Sequence, residues 1–319
     1  MIHIVINEQA KKGRKSPLAK LTGVLEKRSV PYTVHKTAGP GDATDIVREI
    51  CERGEKADVW VVGGDGTINE AVNGLVLPSQ VTLAVLPGGS GNDYVKGLGL
   101  SSDIVKCAET LLAAKGRRGY DLGEIATYEI SGTVRFAGSC GIGYDAKVCH
   151  EVDNSSIKKV LNKLHLGKIA YFLVALRQVF ANPRFAATVV VDGVSRAYND
   201  VIFLCFMNNR YEGGGLKMAP GANPCDGKLT VVMAHGIRPL RVLTMLPKLM
   251  SGTHVKHKKV DVITCREIEV ITDQRQYLHT DGDVRCQTRH VRVTCMPEQM
   301  MMPACGTAYA SRSTKQITN

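Results

Sequence analysis

Three glycines surround one carboxylate in Gly63-Gly64-Asp65-Gly66-Thr67, and a second turn of the same kind, Pro87-Gly88-Gly89-Ser90-Gly91-Asn92-Asp93, follows it. Glycine lets a backbone approach a ligand closely and adopt positive φ. A helix beginning at about Ile68 would aim its first N–H groups at the first turn, a place that suits a phosphate. Asp65 would repel that phosphate unless a cation or a hydroxyl donor stood between them, so the carboxylate implies Mg²⁺ or a hydrogen bond to a transferring group. The second turn adds a hydroxyl at Ser90, an amide at Asn92 and a carboxylate at Asp93. On adjacent strands the two turns would form one site, although GGDGT alone also suits a plain strand-to-helix turn. Neither turn fits G-x-x-x-x-G-K-[ST], which argues against an ordinary Walker-A nucleotide site.

The elements around these turns must hold them at one sheet edge. An apolar run over 2–6, a helical stretch over 17–28, a strand over 32–36, a helix over 43–53 and a strand over 58–62 lead to a helix over 68–77 and a strand over 81–86. Such alternation over short loops implies a parallel sheet covered on both faces, a doubly wound α/β domain. Ligands of these sheets sit at the carboxyl ends of the strands, where both glycine turns stand. From about Gly119 the texture changes to β-like runs over 120–130, 133–140, 187–191, 200–207 and 228–233, then 259–264, 267–271 and 291–295. This predicts a C-terminal antiparallel, β-rich, sandwich-like domain with inserted helices. One or two helices are expected over 158–180, where Leu161, Leu164, Ile169, Phe172, Leu173 and Leu176 form a core-facing stripe or a lipid-contacting surface. The expected division is 1–122 and 123–296, the last segment of the second domain being able to return to the first. A tail without clear period follows over 297–319.

At 319 residues the chain exceeds one average domain, and two lobes suit an enzyme that closes on two substrates. With 44% hydrophobic and 22% charged residues it is neither disordered nor fibrous. The net charge of +11 includes clusters at Lys11, Lys12, Arg14 and Lys15, at Lys158, Lys159, Lys163 and Lys168, and at Lys256, Lys258 and Lys259. These are solvated faces, or they attract phosphate, nucleic acid or anionic membrane. Aromatics at 5%, without basic-aromatic alternation, argue against a nucleic-acid partner and leave phosphate or lipid headgroup. None of the ten cysteines pair at C-x-x-C spacing, and Cys51, Cys107, Cys205 and Cys295 lie in apolar segments, so reduced core thiols are expected. The N-terminal MIHIVIN reads as a strand, and no stretch reaches the roughly 18 apolar residues of a membrane span. The expectation is a cytoplasmic protein that touches a membrane from that side; no residue pattern demands a homodimer, and none excludes one.

Together GGDGTINEAVNGL, PGGSGNDYVKGLGL, GIGYDAKV, NNRYEGGGLKMAPGANPCDGKL and HTDGD resemble the diacylglycerol kinase catalytic domain family, which includes bacterial lipid kinases and sphingosine kinases. The similarity runs from about Ile2 to Met296. It implies an ATP- and Mg²⁺-dependent kinase acting on a lipid hydroxyl. Gly63, Gly64, Asp65, Gly66, Thr67, Asn69 and Glu70 would hold ATP, with Asn7, Thr37 and Ser90 completing the pocket. Asp93 matches a carboxylate acting through catalytic Mg²⁺, and Asp121 another acidic residue near that site. A structural Mg²⁺ site maps to the Asp226 side chain and the backbone carbonyls of Asn223 and Lys228. The general base, a glutamate in the family's D-G-E motif, falls on Asp283 of Asp281-Gly282-Asp283.

Two departures bear on this. Asp283 is one methylene shorter than glutamate, and the first loop, usually N-P-x-[AS]-G, reads Asn7-Glu8-Gln9-Ala10-Lys11, with Lys12 and Arg14 supplying compensating positive charge near the phosphates. They keep open a non-catalytic nucleotide- or lipid-binding protein; the shared GGDGT turn keeps open a soluble-substrate kinase acting on NAD or a sugar phosphate. Gly141-Ile142-Gly143-Tyr144-Asp145-Ala146 fits a dinucleotide fingerprint but lies in the β-rich half, so a turn into a helix is the better reading. His254 and His257 lack a third nearby ligand and are expected to extend the basic surface. Asn154-Ser155-Ser156 is a sequon without meaning in a cytosolic chain.

Overall fold

The computed structural model describes residues 1–7, 16–154, 177 and 184–305. Glu8, the first basic cluster with Lys12, the lysines at 158–168, nearly all of the 158–180 stretch, Ser155 and Ser156, and the tail from 306 lie outside the described residues. The first half runs β1 (Ile2–Ile6), α1 (Pro17–Lys27), β2 (Tyr32–Lys36), α2 (Asp42–Glu52), β3 (Ala57–Gly63), α3 (Asp65–Asn73) and β4 (Val81–Pro87). Its strands pair in parallel in the order β4-β3-β1-β2. β1 and β4 are buried at every position, as strands shielded on both faces must be, while marginal β2 is only partly covered.

Two helices beyond those expected follow, α4 (Asp93–Gly97) and α5 (Ile104–Leu112). The signal for α5 is present in sequence: Asp103 accepts the Val105 and Lys106 amides as an N-cap, and Ile104, Cys107, Ala108 and Leu111 are buried at helical spacing. α4 is five residues long, too short for periodicity to reveal.

The second half comprises β5 (Arg117–Ala126), β6 (Val134–Phe136), β7 (Ser139–Gly143), α6 (Tyr144–Asn154), β8 (Phe185–Val191), β9 (Val194–Met207), β10 (Leu229–His235), α7 (Pro239–Ser251), β11 (Val260–Cys265), β12 (Glu267–Thr280) and β13 (Asp283–Pro303). The strand expected over 133–140 is broken into β6 and β7, because the Asp281 carboxylate holds the Ala137 and Gly138 amides in a turn. The GIGYDA segment does turn into a helix, α6, from a strand paired antiparallel with β9 and β12.

β13 is the seam of the molecule. It pairs antiparallel with β12 and β5, then meets β4 in parallel at Met301 and Thr82. Residues 297–303, expected in the tail, are therefore strand. Glu298, at φ 55, marks an irregularity between Met296 and Met300 that interrupts the alternation, and Met300 and Met302 are buried in the first core.

The first core gathers Ile4, Val61, Leu83 and Leu25; the second gathers Phe136, Phe185, Phe206 and Leu278. Each such side chain contributes roughly 1.5–3 kcal/mol by leaving water. Gly123 has no alternative, since a Cβ there would enter the Phe136 ring. All ten cysteines are free, and six are buried. His254 is a correction: it is buried, with Nε2 3.0 Å from the Met218 carbonyl, and contributes nothing to a basic surface. Among the described residues, no helix is long and apolar enough to cross a membrane.

Candidate active site

β3 ends at Gly63, and Gly64 caps α3 in extended backbone, so the helix starts at Asp65, three residues before the expected Ile68. The amides of its first turn, which have no partner within a helix, thus belong to the GGDGT turn itself. β4 delivers the second turn against the first. The Gly88 and Gly89 amides donate to the Gly63 carbonyl at 2.8 and 3.1 Å. A Cβ on Gly88 would stand 2.6 Å from the Gly63 nitrogen, and one on Gly89 2.5 Å from the Gly64 Cα. Contact between two backbones is what demands glycine here. Asn92, at φ 53, locks the second turn: its side chain accepts the Gly89 amide at 2.8 Å and donates to the Gly89 carbonyl at 3.0 Å.

Asp65 and Asp93 converge at Gly91, where a Cβ would lie 3.0 Å from Asp65 Oδ2 and 3.5 Å from Asp93 Oδ2. Burial holds the Asp65 carboxyl above the usual range; the Tyr94 amide, donating to Oδ1 at 3.0 Å, opposes this, and the Asp93 charge adds to it. Asp93 is 7% exposed. Its Oδ2 accepts the Gly214 amide at 2.6 Å, and its Oδ1 lies 3.4 Å from Lys96 Nζ. The Asn209 side chain donates to the Asp93 carbonyl at 2.9 Å and occupies the space a Cβ on Gly97 would need. The second half of the chain thereby closes over the second glycine turn.

Asp283 reaches the same edge through an anchor that spacing alone does not reveal. Asp281 Oδ2 accepts from Asn69 Nδ2 at 2.8 Å and the Ala137 amide at 3.0 Å; Oδ1 accepts the Gly138 and Ser139 amides, both at 2.8 Å. Burial pushes the Asp281 carboxyl up, and these donors oppose it. With Gly282 at φ 91, the turn sets Asp283 beside α3: a Cβ on Gly66 would be 3.5 Å from Asp283 Oδ2. The Arg285 guanidinium lies 4.0 Å from Asp283, whose side chain is 54% exposed.

Other expected residues fall into two groups. The Asn7 amide donates to the Val62 carbonyl at 3.2 Å and the Thr37 amide to the Ile6 carbonyl at 3.0 Å, placing both at the carboxyl ends of parallel strands; Ser90 is exposed on the second turn. Thr67 packs under Gly63, inside the turn. Asn69 and Glu70 are placed differently from the nucleotide contacts expected of them. Asn69 is buried, donating to Asp281 and the Arg135 carbonyl and accepting from Arg285 at 2.5 Å. Glu70 accepts the Ala43 amide at 3.2 Å in the first turn of α2.

Asp121 lies against the 223–228 segment, its amide donating to the Pro224 carbonyl at 2.7 Å. Its Oδ2 accepts the Gly227 amide at 2.8 Å and its Oδ1 the Glu298 amide at 3.0 Å. Burial raises its carboxyl, the two amides oppose that, and the nearby Asp226 charge adds to it. Asp226 accepts the Lys228 amide at 3.0 Å, and Asn223 the Cys225 amide at 3.2 Å. Asp65 with Asp93, and Asp226 with the nearby Asp121, offer oxygen donors, and that donor chemistry fits a hard divalent cation.

The diacylglycerol kinase catalytic domain model matches residues 1–125, and the YegS C-terminal NAD kinase beta sandwich-like domain model matches 138–303. The chain is 27% identical to a diacylglycerol kinase of Bacillus subtilis (strain 168), covering 84% of each chain. It is 26% identical to a diacylglycerol kinase of Mycobacterium tuberculosis (strain CDC 1551 / Oshkosh), over 77% of this chain and 76% of that one. A solved structure from Bacillus anthracis str. Sterne shares the fold at a TM-score of 0.79 and 23% identity, covering 97% of this chain and 96% of that chain. Two glycine turns in backbone contact, acidic side chains at the same edge and a β-rich second half thus agree with matches that span nearly the whole chain: the protein belongs to the diacylglycerol kinase catalytic domain family, with the YegS-type β-sandwich domain as its second half.

Proposed function

We propose that this protein is an ATP- and Mg²⁺-dependent lipid kinase that moves the γ-phosphate of ATP to a hydroxyl of diacylglycerol or a related lipid. The observation that carries the reading is the meeting of the GGDGT and PGGSGND turns with Asp65, Asp93 and Asp283 at one sheet edge. The names of its relatives, diacylglycerol kinases over most of their length, support the acceptor class.

Phosphoryl transfer asks a protein mainly for alignment and charge neutralisation. The first-turn amides of α3 and the bare backbone of the second turn bind phosphate oxygens, and Lys96 adds a positive charge beside Asp93. Bound Mg²⁺ supplies neutralisation of the charge that spreads over the phosphoryl oxygens. Asp65 and Asp93 are the side chains that would hold it, and Asp226 the one that would hold a structural ion. Asp283 accepts the proton of the attacking hydroxyl, its half-exposed position leaving room for an acceptor above α3. The acceptor is met at the cytoplasmic surface of a bilayer, where Lys256, Lys258 and Lys259 face anionic headgroups, each worth roughly 1 kcal/mol.

Incubating the purified protein with labelled ATP, Mg²⁺ and diacylglycerol, sphingosine, NAD or fructose 6-phosphate tests the assignment. Label in a lipid is expected. Label only in NAD or the sugar phosphate would overturn the lipid acceptor, and label in none would favour a nucleotide- or lipid-binding protein without turnover.

A further inference from the structure

His279, two residues before Asp281, is fully enclosed by protein. Its Nε2 lies 3.2 Å from Asp145 Oδ2 and 3.2 Å from Glu212 Oε1. Its Nδ1 accepts the Gly282 amide at 3.2 Å, so the Nε2 carries a hydrogen and directs it at the two carboxylates. Room for this arrangement is built into the sheet: Gly141 is the β7 residue opposite His279, and a Cβ there would collide with Asp145 Oδ2 and stand 2.5 Å from the His279 Nε2.

The three side chains come from separate elements. Asp145 lies in the first turn of α6 and also accepts the Cys205 thiol at 3.0 Å. Glu212 sits in the loop after β9, where its amide and carbonyl pair with Leu216 at 3.0 Å. Between Glu212 and Leu216 lies Gly214, whose amide holds Asp93. One ring therefore touches both the turn that carries Asp283 and the loop that holds Asp93. Asp145 Oδ1 and Glu212 Oε2 are buried without hydrogen-bond partners. The Nε2 hydrogen is the donor these two carboxylates share, and leaving buried carboxylates without it is strongly destabilising.

We propose that His279 is a positioning residue for phosphoryl transfer: with the Gly282 amide on Nδ1 and its Nε2–H on Glu212 and Asp145, the ring clips the Asp281-Gly282-Asp283 turn to the 212–216 loop and keeps Asp283 and Asp93 in register across the acceptor. The proposal rests on the kinase reading above for its catalytic consequence, though not for the clip itself. The groups that act on the ring are Asp145 and Cys149 from α6 and Glu212 from the loop, and Cys205 from β9 and Cys140 from β7 lie beside the same two carboxylates.

The test compares the wild type with His279→Leu, which removes both the donor and the acceptor, and with His279→Gln, which retains one of each. His279→Leu is expected to lower kcat by about 10- to 100-fold with the KM for ATP within about threefold, and His279→Gln to recover at least part of that loss. A merely structural histidine would lower stability without this split between kcat and KM. Independently of turnover, imidazole ¹⁵N resonances, with His279 identified by its loss in His279→Gln, should show a ring protonated at Nε2 and bare at Nδ1. Hydrogen exchange should show Gly214 and Gly282 losing protection together in His279→Leu. A ring protonated at Nδ1, unchanged exchange at both glycines, or a stoichiometric divalent ion that is lost in Cys205→Ala would overturn the proposal. A wild type inactive on every acceptor would sink the kinase reading while leaving the resonance and exchange results to decide the clip.

Discussion

Asn69 on α3 and Asp281 in the β12–β13 turn share a 2.8 Å hydrogen bond across 212 positions of sequence. Through it the helix that opens at the first glycine turn fixes the acidic turn of the other half. Asn69→Leu removes one of the donors to a buried carboxylate and strands the Arg285 contact. It should cost about 1–3 kcal/mol in urea unfolding, as a shifted midpoint at unchanged slope, and should lower kcat as Asp283 loses its support.

Asp283→Asn removes the proton acceptor and little else, since the side chain is exposed. Turnover should drop at least about 100-fold while ATP binding, followed by calorimetry, stays near the wild-type value. Asp283→Glu restores the length usual in the family and should stay within about tenfold of wild type. Near-normal turnover in the asparagine variant would remove this residue from the chemistry.

Asp65 is held above the ordinary carboxyl value chiefly by burial, so its native state favours the proton. Its contribution to stability is then best below the unfolded value of about 4 and declines as pH rises from there through the folded pKa. At neutral pH without divalent cation the charged group opposes folding. Asp65→Asn should therefore raise Tm by about 2–4 °C at pH 7, and the gain should vanish near pH 3, while phosphate transfer is lost. A gain of the same size at both pH values would contradict the burial account.

Gly89→Ala places a methyl group 2.5 Å from the Gly64 Cα and must push the two turns apart. Backbone against backbone cannot yield as a flexible side chain can, so a loss of about 1–3 kcal/mol is expected together with weakened ATP binding. Gly39→Ala, which meets nothing within 4 Å, is the matched control.

Mg²⁺ should raise the Tm of the wild type in a concentration-dependent manner, because a ligand of the native state alone stabilises it by mass action. Asp226→Asn should remove part of that rise, and the double change with Asp93→Asn most of it. Removal of Mg²⁺ by a chelator should abolish transfer in the wild type.

What could be read from residue order alone was whatever neighbours in the chain dictate. The parallel strands at the start announce themselves by apolar runs and short loops, and glycines bracketing Asp65 and Asp93 mark the places where the two turns meet backbone to backbone. Even α5 carried its cap and its stripe. The partners of Asn69, Asp121 and His279 were beyond such reading, because a buried polar side chain is satisfied by whichever group the fold brings near, here up to 216 positions away. Residue type shows that Asp281 and Asp283 are both acids; only the turn held by Ala137, Gly138 and Ser139 decides that the first is an internal anchor and the second stands half-exposed beside α3. The strand over 297–303 was hidden for the same reason: one bulge at Glu298 breaks the alternation, and the hydrogen bonds that restore it come from β5, far away in sequence.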